Sequence, residues 1–339
     1  MKIIVRMPNW VGDLVMATPI LADLRTAYPH AEITALSKAP SSELLKKDPS
    51  INELFSFSQP ENKFLRRVSR RNVINKLRIG KYDLGILLTG SFSSSWLFWQ
   101  GRIKRRIGFA KNFRSLLLTD PVEPPKERMH QVKLYKQLLK PLGIKESSTA
   151  PRLFVSEKEM AESKQLLFQR GYKIGHPLIG INPGAAYGSA KCWLPERFSE
   201  LALKLVEEDP RAYVLFFGDA ASEDLIKRIC AGLPDRVINL AGVTSLRELA
   251  CLIKDCCLLI TNDSGPMHIG DAFGVPLVAL FGSTDDVATG PYGSEKGVLC
   301  KRVSCSPCFK RICPIDFRCM KEITVEEVFK KAQEQRKGV

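Results

Sequence analysis

The sequence lacks long hydrophobic runs. No stretch reaches the roughly eighteen consecutive apolar residues that a transmembrane helix needs, so none is expected. The apolar stretch near the N-terminus is interrupted by Asn9, Asp13 and Pro19, and no A-x-A-like cleavage site follows it. We therefore expect no signal peptide and a cytoplasmic location.

Two nucleotide-binding fingerprints are also missing. The chain contains neither the G-x-G-x-x-G pattern of dinucleotide-binding domains nor the G-x-x-x-x-G-K-S/T pattern of P-loop proteins. The sequence therefore favours neither a dinucleotide-dependent dehydrogenase nor a P-loop kinase.

Cysteine is absent from the first half of the chain, because all 10 cysteines lie at or after Cys192. In a cytoplasmic protein they should be reduced. Four of them form a compact segment with the pattern Cys305-x2-Cys308-x4-Cys313-x5-Cys319. Such a set of thiolates could hold a structural zinc ion or, less readily, an iron–sulfur cluster. The alternatives are four reduced cysteines or adventitious disulfides.

Acidic residues are scarce relative to basic ones. The 339 residues include 51 Lys and Arg but 36 Asp and Glu, which gives a formal net charge of +15. A charge of this size indicates an anionic partner: nucleic acid, a membrane surface or a phosphorylated substrate. The hydrophobic fraction of 45% is ordinary for a globular protein, and the length allows two domains.

Apolar periodicity predicts strands and helices that alternate through both halves of the chain. Strands are predicted at residues 2–7, 31–36, 53–57, 82–88 and 105–108, and again at 178–182, 213–217, 237–240, 257–261 and 277–281. This pattern is typical of doubly wound parallel sheets in the α/β class. The first helix is predicted over residues 13–28, with a bend at Pro19.

A polar stretch at residues 146–151 and a charged helix at 157–171 have the composition of a linker. We therefore predict a first domain over residues 1–172 and a second over 173–339. The second would include a Cys-rich loop at 300–320 and a C-terminal helix. Two such domains would place their strand carboxyl ends across one cleft.

The turn Thr261-Asn262-Asp263-Ser264-Gly265-Pro266-Met267-His268 lies between a buried-type strand and a helix. Asp263 and Ser264 are common N-cap types, Gly265 and Pro266 suit the start of the helix, and His268 lies one turn further on. The turn could be a pyrophosphate cradle, because helix N-termini attract anions. It could equally be an ordinary capped helix.

Three further loops follow predicted strands of the second half. The loop at 182–193 contains small residues and Lys191, the loop at 217–219 is followed by Glu223, and the loop at 241–246 contains Thr244. The carboxyl ends of parallel strands share one edge of a sheet, so these loops should lie on the same side as Asp263. Their convergence favours the cradle over the ordinary cap.

Two features of the first half indicate a second site. Asp13 follows the first strand at the start of a helix, where it is either a ligand-facing base or only a cap. The helix at 63–80 is strongly basic and is followed by more cations. Unpaired like charges repel one another, which favours a phosphate site over a solvated face. The candidate acceptor-binding residues are Lys63, Arg66, Arg67, Arg70 and Arg114.

Three motifs together resemble glycosyltransferase family 9, the lipopolysaccharide heptosyltransferases. They are Trp10-Val11-Gly12-Asp13, Asn182-Pro183-Gly184-Ala185 with Ala190-Lys191-Cys192-Trp193, and Thr261 to His268. The resemblance extends over nearly the whole chain. It implies a GT-B fold, in which two Rossmann-like domains face a cleft and bind the acceptor and ADP-heptose respectively.

The resemblance also implies an activity. The expected reaction is inverting transfer of heptose from ADP-L-glycero-D-manno-heptose to heptosyl-Kdo-lipid A, the inner core of lipopolysaccharide. The enzyme would work as a peripheral protein on the anionic cytoplasmic face of the inner membrane, without a cofactor for catalysis. By position, Asp13 corresponds to the general base, Lys191 to the donor-phosphate lysine and Glu223 to a contact of the donor nucleoside. The donor-binding turn corresponds to Asp263, Ser264, Gly265 and His268.

Other functions stay open on the sequence. Within the family, the chain could add the first heptose, as heptosyltransferase I does, or use a different acceptor. A nucleic-acid-binding protein would explain the basic helix and the cysteines, but it would leave the donor-type loops without a role, so no nucleic acid is expected. A nucleotide-binding regulatory module without catalysis would not need Asp13.

Overall fold

The structure is a computed structural model that describes residues 1–337, and the chain divides into two compact units, Met1–Phe154 and Val155 onward. The division lies earlier than the predicted boundary between residues 172 and 173. The helix over Glu157–Phe168, predicted as part of a linker, packs on the helix over Leu246–Asp255 of the second unit. Glu159 pairs with Arg247 at 2.7 Å between these two helices. The helix therefore belongs to the second unit.

The first unit contains a parallel six-stranded sheet in the order β3-β2-β1-β4-β5-β6. Its strands are β1 (Lys2–Arg6), β2 (Glu32–Lys38), β3 (Glu53–Phe57), β4 (Leu84–Leu87), β5 (Arg105–Phe109) and β6 (Asp120–Val122). Its α-helices are α1 (Val11–Met16), α2 (Thr18–Ala27), α3 (Lys63–Gly80), α4 (Phe92–Gln100) and α5 (Gln131–Lys136). Short 3-10 turns occur at Ser41–Leu45, Ser115–Leu117 and Gln137–Leu142.

The second unit repeats this topology with a parallel six-stranded sheet in the order β12-β11-β10-β7-β8-β9. Its strands are β7 (Leu178–Asn182), β8 (Tyr213–Phe216), β9 (Val237–Asn239), β10 (Leu258–Asn262), β11 (Leu277–Phe281) and β12 (Val298–Cys300). Its α-helices are α6 (Glu157–Phe168), α7 (Pro195–Glu208), α8 (Glu223–Cys230), α9 (Leu246–Asp255), α10 (Gly265–Ala272), α11 (Asp286–Thr289), α12 (Arg318–Lys321) and α13 (Val325–Lys337). The 3-10 turns are Ser189–Lys191, Ala220–Ser222 and Glu295–Gly297.

In each sheet, the order in which successive strands are added changes direction beside the first strand, as in a Rossmann-type doubly wound sheet. The reversal lies between β1 and β4 in the first unit and between β7 and β10 in the second. Loops that leave neighbouring strands toward opposite faces open a crevice at this point, where α/β proteins bind ligands. The predicted pair of doubly wound domains is confirmed. The segments that carry Asp13, Lys191 and Asp263 follow β1, β7 and β10, which are strands at these two points.

The predicted helix over residues 13–28 forms as two helices, because α1 ends at Met16 and α2 begins at Thr18. Pro19 has no N–H to donate, and its ring clashes with the carbonyl four residues earlier in a continuous helix. The carbonyl of Val15 instead accepts a hydrogen bond from Thr18 Oγ1 at 2.8 Å. The break leaves Asp13 on a short helix directly after the first strand.

Both sheets have an edge strand that the sequence did not predict. Strands β6 and β12 contain 3 residues each and neither has a buried residue, so neither produces an apolar run in the sequence. Pro121 lies within β6 opposite Gly108, which an edge strand tolerates because its outer side needs no ladder donor. Within residues 1–337, no helix has both the length and the apolar character needed to cross a bilayer.

Candidate active site

In the first unit, Asp13 lies in the first turn of α1, just after the carboxyl end of β1. A cavity of about 670 Å³ opens beside it, within the range of about 300–1,000 Å³ that small-molecule sites occupy. Trp10 and Tyr135 line this cavity together with Asp13. Four basic side chains also line it: Arg6, Arg66, Arg70 and Lys111. The site thus combines one carboxylate with a surplus of positive charge, which suits an anionic ligand.

Arg6 is a cavity residue that the sequence reasoning missed. Its side chain is 6% exposed, and burial lowers its pKa to about 10, so the guanidinium stays charged at neutral pH. It donates to the carbonyl of Met7 and to Asn9 Oδ1 at 2.6 Å, and it lies 4.8 Å from the centre of the Phe57 ring. An arginine at the end of an otherwise apolar strand was the signal that could have found it.

Two of the candidate acceptor-binding residues on helix α3 lie at the cavity. Arg66 and Arg70 line it, and the Arg70 guanidinium lies 3.9 Å from the centre of the Trp96 ring. A cation over an aromatic face is held in place by the ring quadrupole. Lys63 and Arg67 are exposed on the same helix and are not among the residues that line the cavity.

The position of Arg114 in the structure does not fit its predicted role as a residue that contacts the acceptor. Its side chain is fully buried, and burial lowers its pKa to about 10. The guanidinium donates to the carbonyl of Phe109 at 2.7 Å and to that of Thr89, and it is not among the cavity-lining residues. Arg114 therefore ties together the loops that follow β4 and β5, which is a structural role.

In the second unit, Lys191 and Asp263 form a nearly buried ion pair. Lys191 Nζ lies 2.5 Å from Asp263 Oδ2, and the two side chains are 13% and 5% exposed. Thr284 Oγ1 donates to the same carboxylate oxygen. The structure thus joins the loops after β7, β10 and β11 at one point. Thr284 was missed, although it follows the predicted strand at 277–281 within a polar run.

Two asparagine side chains fix the same loops. Asn182 Nδ2 donates to Ser264 Oγ at 3.1 Å, while Asn262 Nδ2 donates to the carbonyl of Pro183 at 2.7 Å and its Oδ1 accepts from the N–H of Trp193 at 3.0 Å. Ser264 is the N-cap residue of α10, but its side chain makes no cap hydrogen bond. The Ser264 hydroxyl therefore does not compete with an anion for the first N–H groups of this helix.

The other predicted donor residues lie at the same edge of the sheet. Glu223 is exposed in the first turn of α8, and a β-carbon at Gly242 would lie 3.2 Å from Glu223 Oε2. Gly242 has a φ of 69°, in the left-handed region that favours glycine, and Thr244 follows in the same loop. His268 is 5% exposed within α10. The structure thus brings Glu223 beside the loop that carries Thr244.

The cysteine-rich segment packs against the loop that carries Lys191. Tyr187 Oη donates to the carbonyl of Phe309 at 2.9 Å, and the N–H of Ala190 donates to the carbonyl of Arg311 at 3.0 Å. Lys191 Nζ and the Arg311 guanidinium lie 4.9 Å and 5.2 Å from the centre of the Tyr187 ring. The segment therefore supports the Lys191 loop, a role that spacing alone did not indicate.

The four clustered thiols lie near one another. Burial, and after it the charges of Cys305, Cys313 and Cys308, raise the pKa of Cys319 to about 11. All ten cysteines are free thiols. Across residues 1–337, no group of three or more His, Cys, Asp or Glu side chains is arranged to hold a metal ion. The structural zinc stays a prediction, which metal analysis of protein purified without chelator would test.

Comparison with known proteins gives the class of this protein. A model of glycosyltransferase family 9 (heptosyltransferase) matches residues 70–317, and the chain belongs to this family. The protein is therefore a glycosyltransferase, as the motifs predicted.

Individual relatives agree with the family match along nearly the whole chain. The chain is 30% identical to lipooligosaccharide heptosyltransferase 2 of Campylobacter jejuni, with 98% of each chain covered. It is 32% identical to lipopolysaccharide heptosyltransferase 2 of Salmonella typhimurium, with 88% of each covered.

Solved structures show the same fold. The ADP-heptose lipopolysaccharide heptosyltransferase II of Escherichia coli matches with a TM-score of 0.84 and 28% identity over 100% of this chain and 99% of that one. A family 9 glycosyltransferase from Veillonella parvula matches with a TM-score of 0.88 and 25% identity over 100% and 97%. The predicted GT-B fold with two Rossmann-like domains is confirmed.

Proposed function

We propose that this family 9 glycosyltransferase moves heptose from ADP-L-glycero-D-manno-heptose to heptosyl-Kdo-lipid A in the inner core of lipopolysaccharide. The relatives named heptosyltransferase 2 support the second heptose addition. The observation that carries the proposal is the placement of Asp13 in a cavity lined by four basic side chains. An anionic sugar acceptor requires a base that takes the proton of its hydroxyl and cations that bind its negative groups.

The first unit supplies the acceptor side of the proposed reaction. The acceptor hydroxyl attacks the anomeric carbon of the heptose, and its proton passes to the carboxylate of Asp13 as the new C–O bond forms. Inverting transfer needs this single base and no enzyme nucleophile. Arg6, Arg66 and Arg70 would orient the acceptor through its negative groups.

The second unit supplies the donor side. The bond between the anomeric carbon and the phosphate oxygen breaks, so negative charge develops on the departing ADP. Lys191 and the N-terminus of α10 can stabilise this charge, and no metal ion is needed for that step. Asp263 holds the Lys191 ammonium at 2.5 Å and would position it against the diphosphate. Glu223 and the loop with Thr244 would contact the nucleoside, and His268 would complete the turn.

The variant Asp13→Asn tests the proposed base. It keeps the size of the side chain but removes the proton acceptor, so ADP release should fall to background while binding of ADP-heptose stays within about twofold of wild type. Glu61→Gln is a matched control, because Glu61 is exposed in the same unit and does not line the cavity. Wild-type turnover of Asp13→Asn would contradict the role of Asp13 as base.

We also propose that the first unit docks on an anionic membrane surface. Phe113 and Leu116, in the loop after β5, are each 95% exposed, and Phe64 on the basic helix α3 is 72% exposed. Lys111 of the same loop lines the acceptor cavity. Exposed apolar side chains can enter the lipid interface, while each nearby basic residue adds about 1 kcal/mol on anionic lipid.

Sedimentation with phosphatidylglycerol vesicles tests this docking. Phe113→Ser with Leu116→Ser should reduce the bound fraction severalfold. Ile174→Ser is the control, because Ile174 is 80% exposed in the second unit. Equal loss with the control variant, or equal binding to neutral vesicles, would contradict the docking surface.

A further inference from the structure

The Asp13 carboxylate has a tyrosine partner from a distant part of the chain. Tyr135 Oη lies 3.2 Å from Asp13 Oδ1, and the two residues are 122 positions apart. Tyr135 lies on α5 and is 4% exposed, and both residues line the cavity of the first unit. Because an ionised carboxylate can only accept, the tyrosine hydroxyl is the donor in this contact.

A second side chain supports the tyrosine. Gln131, one turn earlier on α5, forms a side-chain hydrogen bond with Tyr135 and also lines the cavity. Its amide can donate to Tyr135 Oη while the tyrosine proton points to Asp13, and hydrogen bonds in such a chain strengthen one another. Burial and the negative charge of Asp13 raise the pKa of Tyr135 well above its usual value, so the hydroxyl stays protonated.

We propose that Tyr135, supported by Gln131, is a positioning residue that holds the carboxylate of Asp13 in its reactive orientation. The inference rests on the proposed role of Asp13 as the base. When the acceptor hydroxyl forms its bond to the anomeric carbon, its proton passes to Asp13, and Tyr135 keeps its own proton throughout. A base that is held in one orientation needs no reorganisation during the reaction.

Removal of the hydroxyl in Tyr135→Phe tests the proposal by acceptor-dependent ADP release across a range of pH. We expect kcat to fall about tenfold while KM for donor and acceptor changes less than twofold. The acid limb of the kcat profile should move to higher pH, because the ionised carboxylate loses a hydrogen-bond donor. The basic groups that face the same cavity are Arg6, Arg66, Arg70 and Lys111.

Tyr82→Phe is the matched control. Tyr82 is 6% exposed in the same unit, its hydroxyl lies 3.3 Å from Thr34 Oγ1, and it does not line the cavity. This control should leave both kcat and the acid limb unchanged. If Tyr135→Phe fails to fold, Gln131→Leu takes its place and should move the acid limb in the same direction by a smaller amount.

Two results would overturn the proposal in different ways. If Tyr135→Phe and Gln131→Leu match Tyr82→Phe in kcat and acid limb while Asp13→Asn is inactive, the positioning role is wrong and the base assignment stands. If Asp13→Asn keeps wild-type turnover, the base assignment fails and the positioning role fails with it.

Discussion

A double-mutant cycle on Lys191 and Asp263 tests the arrangement of the second unit's site. The variants are Lys191→Met, Asp263→Asn and the combination of both. The two side chains are 13% and 5% exposed, and Thr284 Oγ1 also donates to the Asp263 carboxylate. Each single change removes one partner and leaves the other without its counter-charge in a nearly buried place.

The expected magnitudes follow from this burial. Removal of one partner of a buried ion pair typically costs about 3–5 kcal/mol. We expect Lys191→Met to lower the free energy of unfolding by about 3 kcal/mol, because Thr284 still donates to Asp263, and Asp263→Asn to lower it by about 3 kcal/mol as well. The double variant removes both charges and should also lose about 3 kcal/mol, so the pair should show a coupling energy of about 3 kcal/mol.

Urea unfolding followed by the fluorescence of Trp193 measures this coupling. Trp193 is 1% exposed and packs on Phe198 of the same unit at a ring separation of 5.0 Å. A background with Phe at the other three tryptophan positions, Trp10, Trp96 and Trp99, leaves it as the reporter. The exposed pair Lys204–Glu326 is the control and should show no measurable coupling. Additive losses for Lys191 and Asp263 would refute the reasoning.

Three further predictions concern separate parts of the chain. Arg247 and Ser156 hydrogen-bond Glu159 and hold the pKa of its carboxyl well below the usual range. The ionised carboxylate therefore stabilises the folded protein above about pH 4, and this contribution to the free energy of unfolding is lost as the pH falls further. Glu159→Gln should lower the free energy of unfolding by about 2 kcal/mol at pH 7, and a loss of equal size at pH 3 would contradict this sign. Charge reversal at Arg66 and Arg70 should raise the acceptor KM at least tenfold with an unchanged donor KM, whereas Arg71→Glu, which changes an exposed residue of the same helix outside the cavity, should not. Arg114→Met should destabilise the protein by about 1–3 kcal/mol in thermal unfolding, because the carbonyls of Thr89 and Phe109 lose their donor, while the acceptor KM changes little.

The sequence predicted the strands near the sheet centres well, because their burial produces continuous apolar runs. The structure gives β7 (Leu178–Asn182) and β11 (Leu277–Phe281) with the predicted bounds. The lateral order of the strands and the edge strands β6 and β12 were not predictable in this way. Pairing depends on contacts between distant segments, and a 3-residue edge strand without a buried residue has no apolar run to detect.

The site residues that lie in motifs were predictable from the sequence, whereas the residues whose role depends on burial were not. Lys191 and Asp263 were singled out as loop residues, but their ion pair joins positions that are 72 residues apart. In the sequence Arg114 resembles a surface cation, yet it is fully buried, and its guanidinium donates to the carbonyls of Phe109 at the end of β5 and Thr89 in the loop after β4. The contact between Tyr135 and Asp13 gives no sequence signal, since a tyrosine on an amphipathic helix is ordinarily a core residue.

The central claim is tested most directly by release of ADP from ADP-heptose in the presence of heptosyl-Kdo-lipid A, of Kdo-lipid A, or of no acceptor. We expect release that depends on heptosyl-Kdo-lipid A and stays at background in the other two reactions. Release with Kdo-lipid A alone would move the activity to the first heptose addition. No release with either acceptor would contradict the proposed transfer.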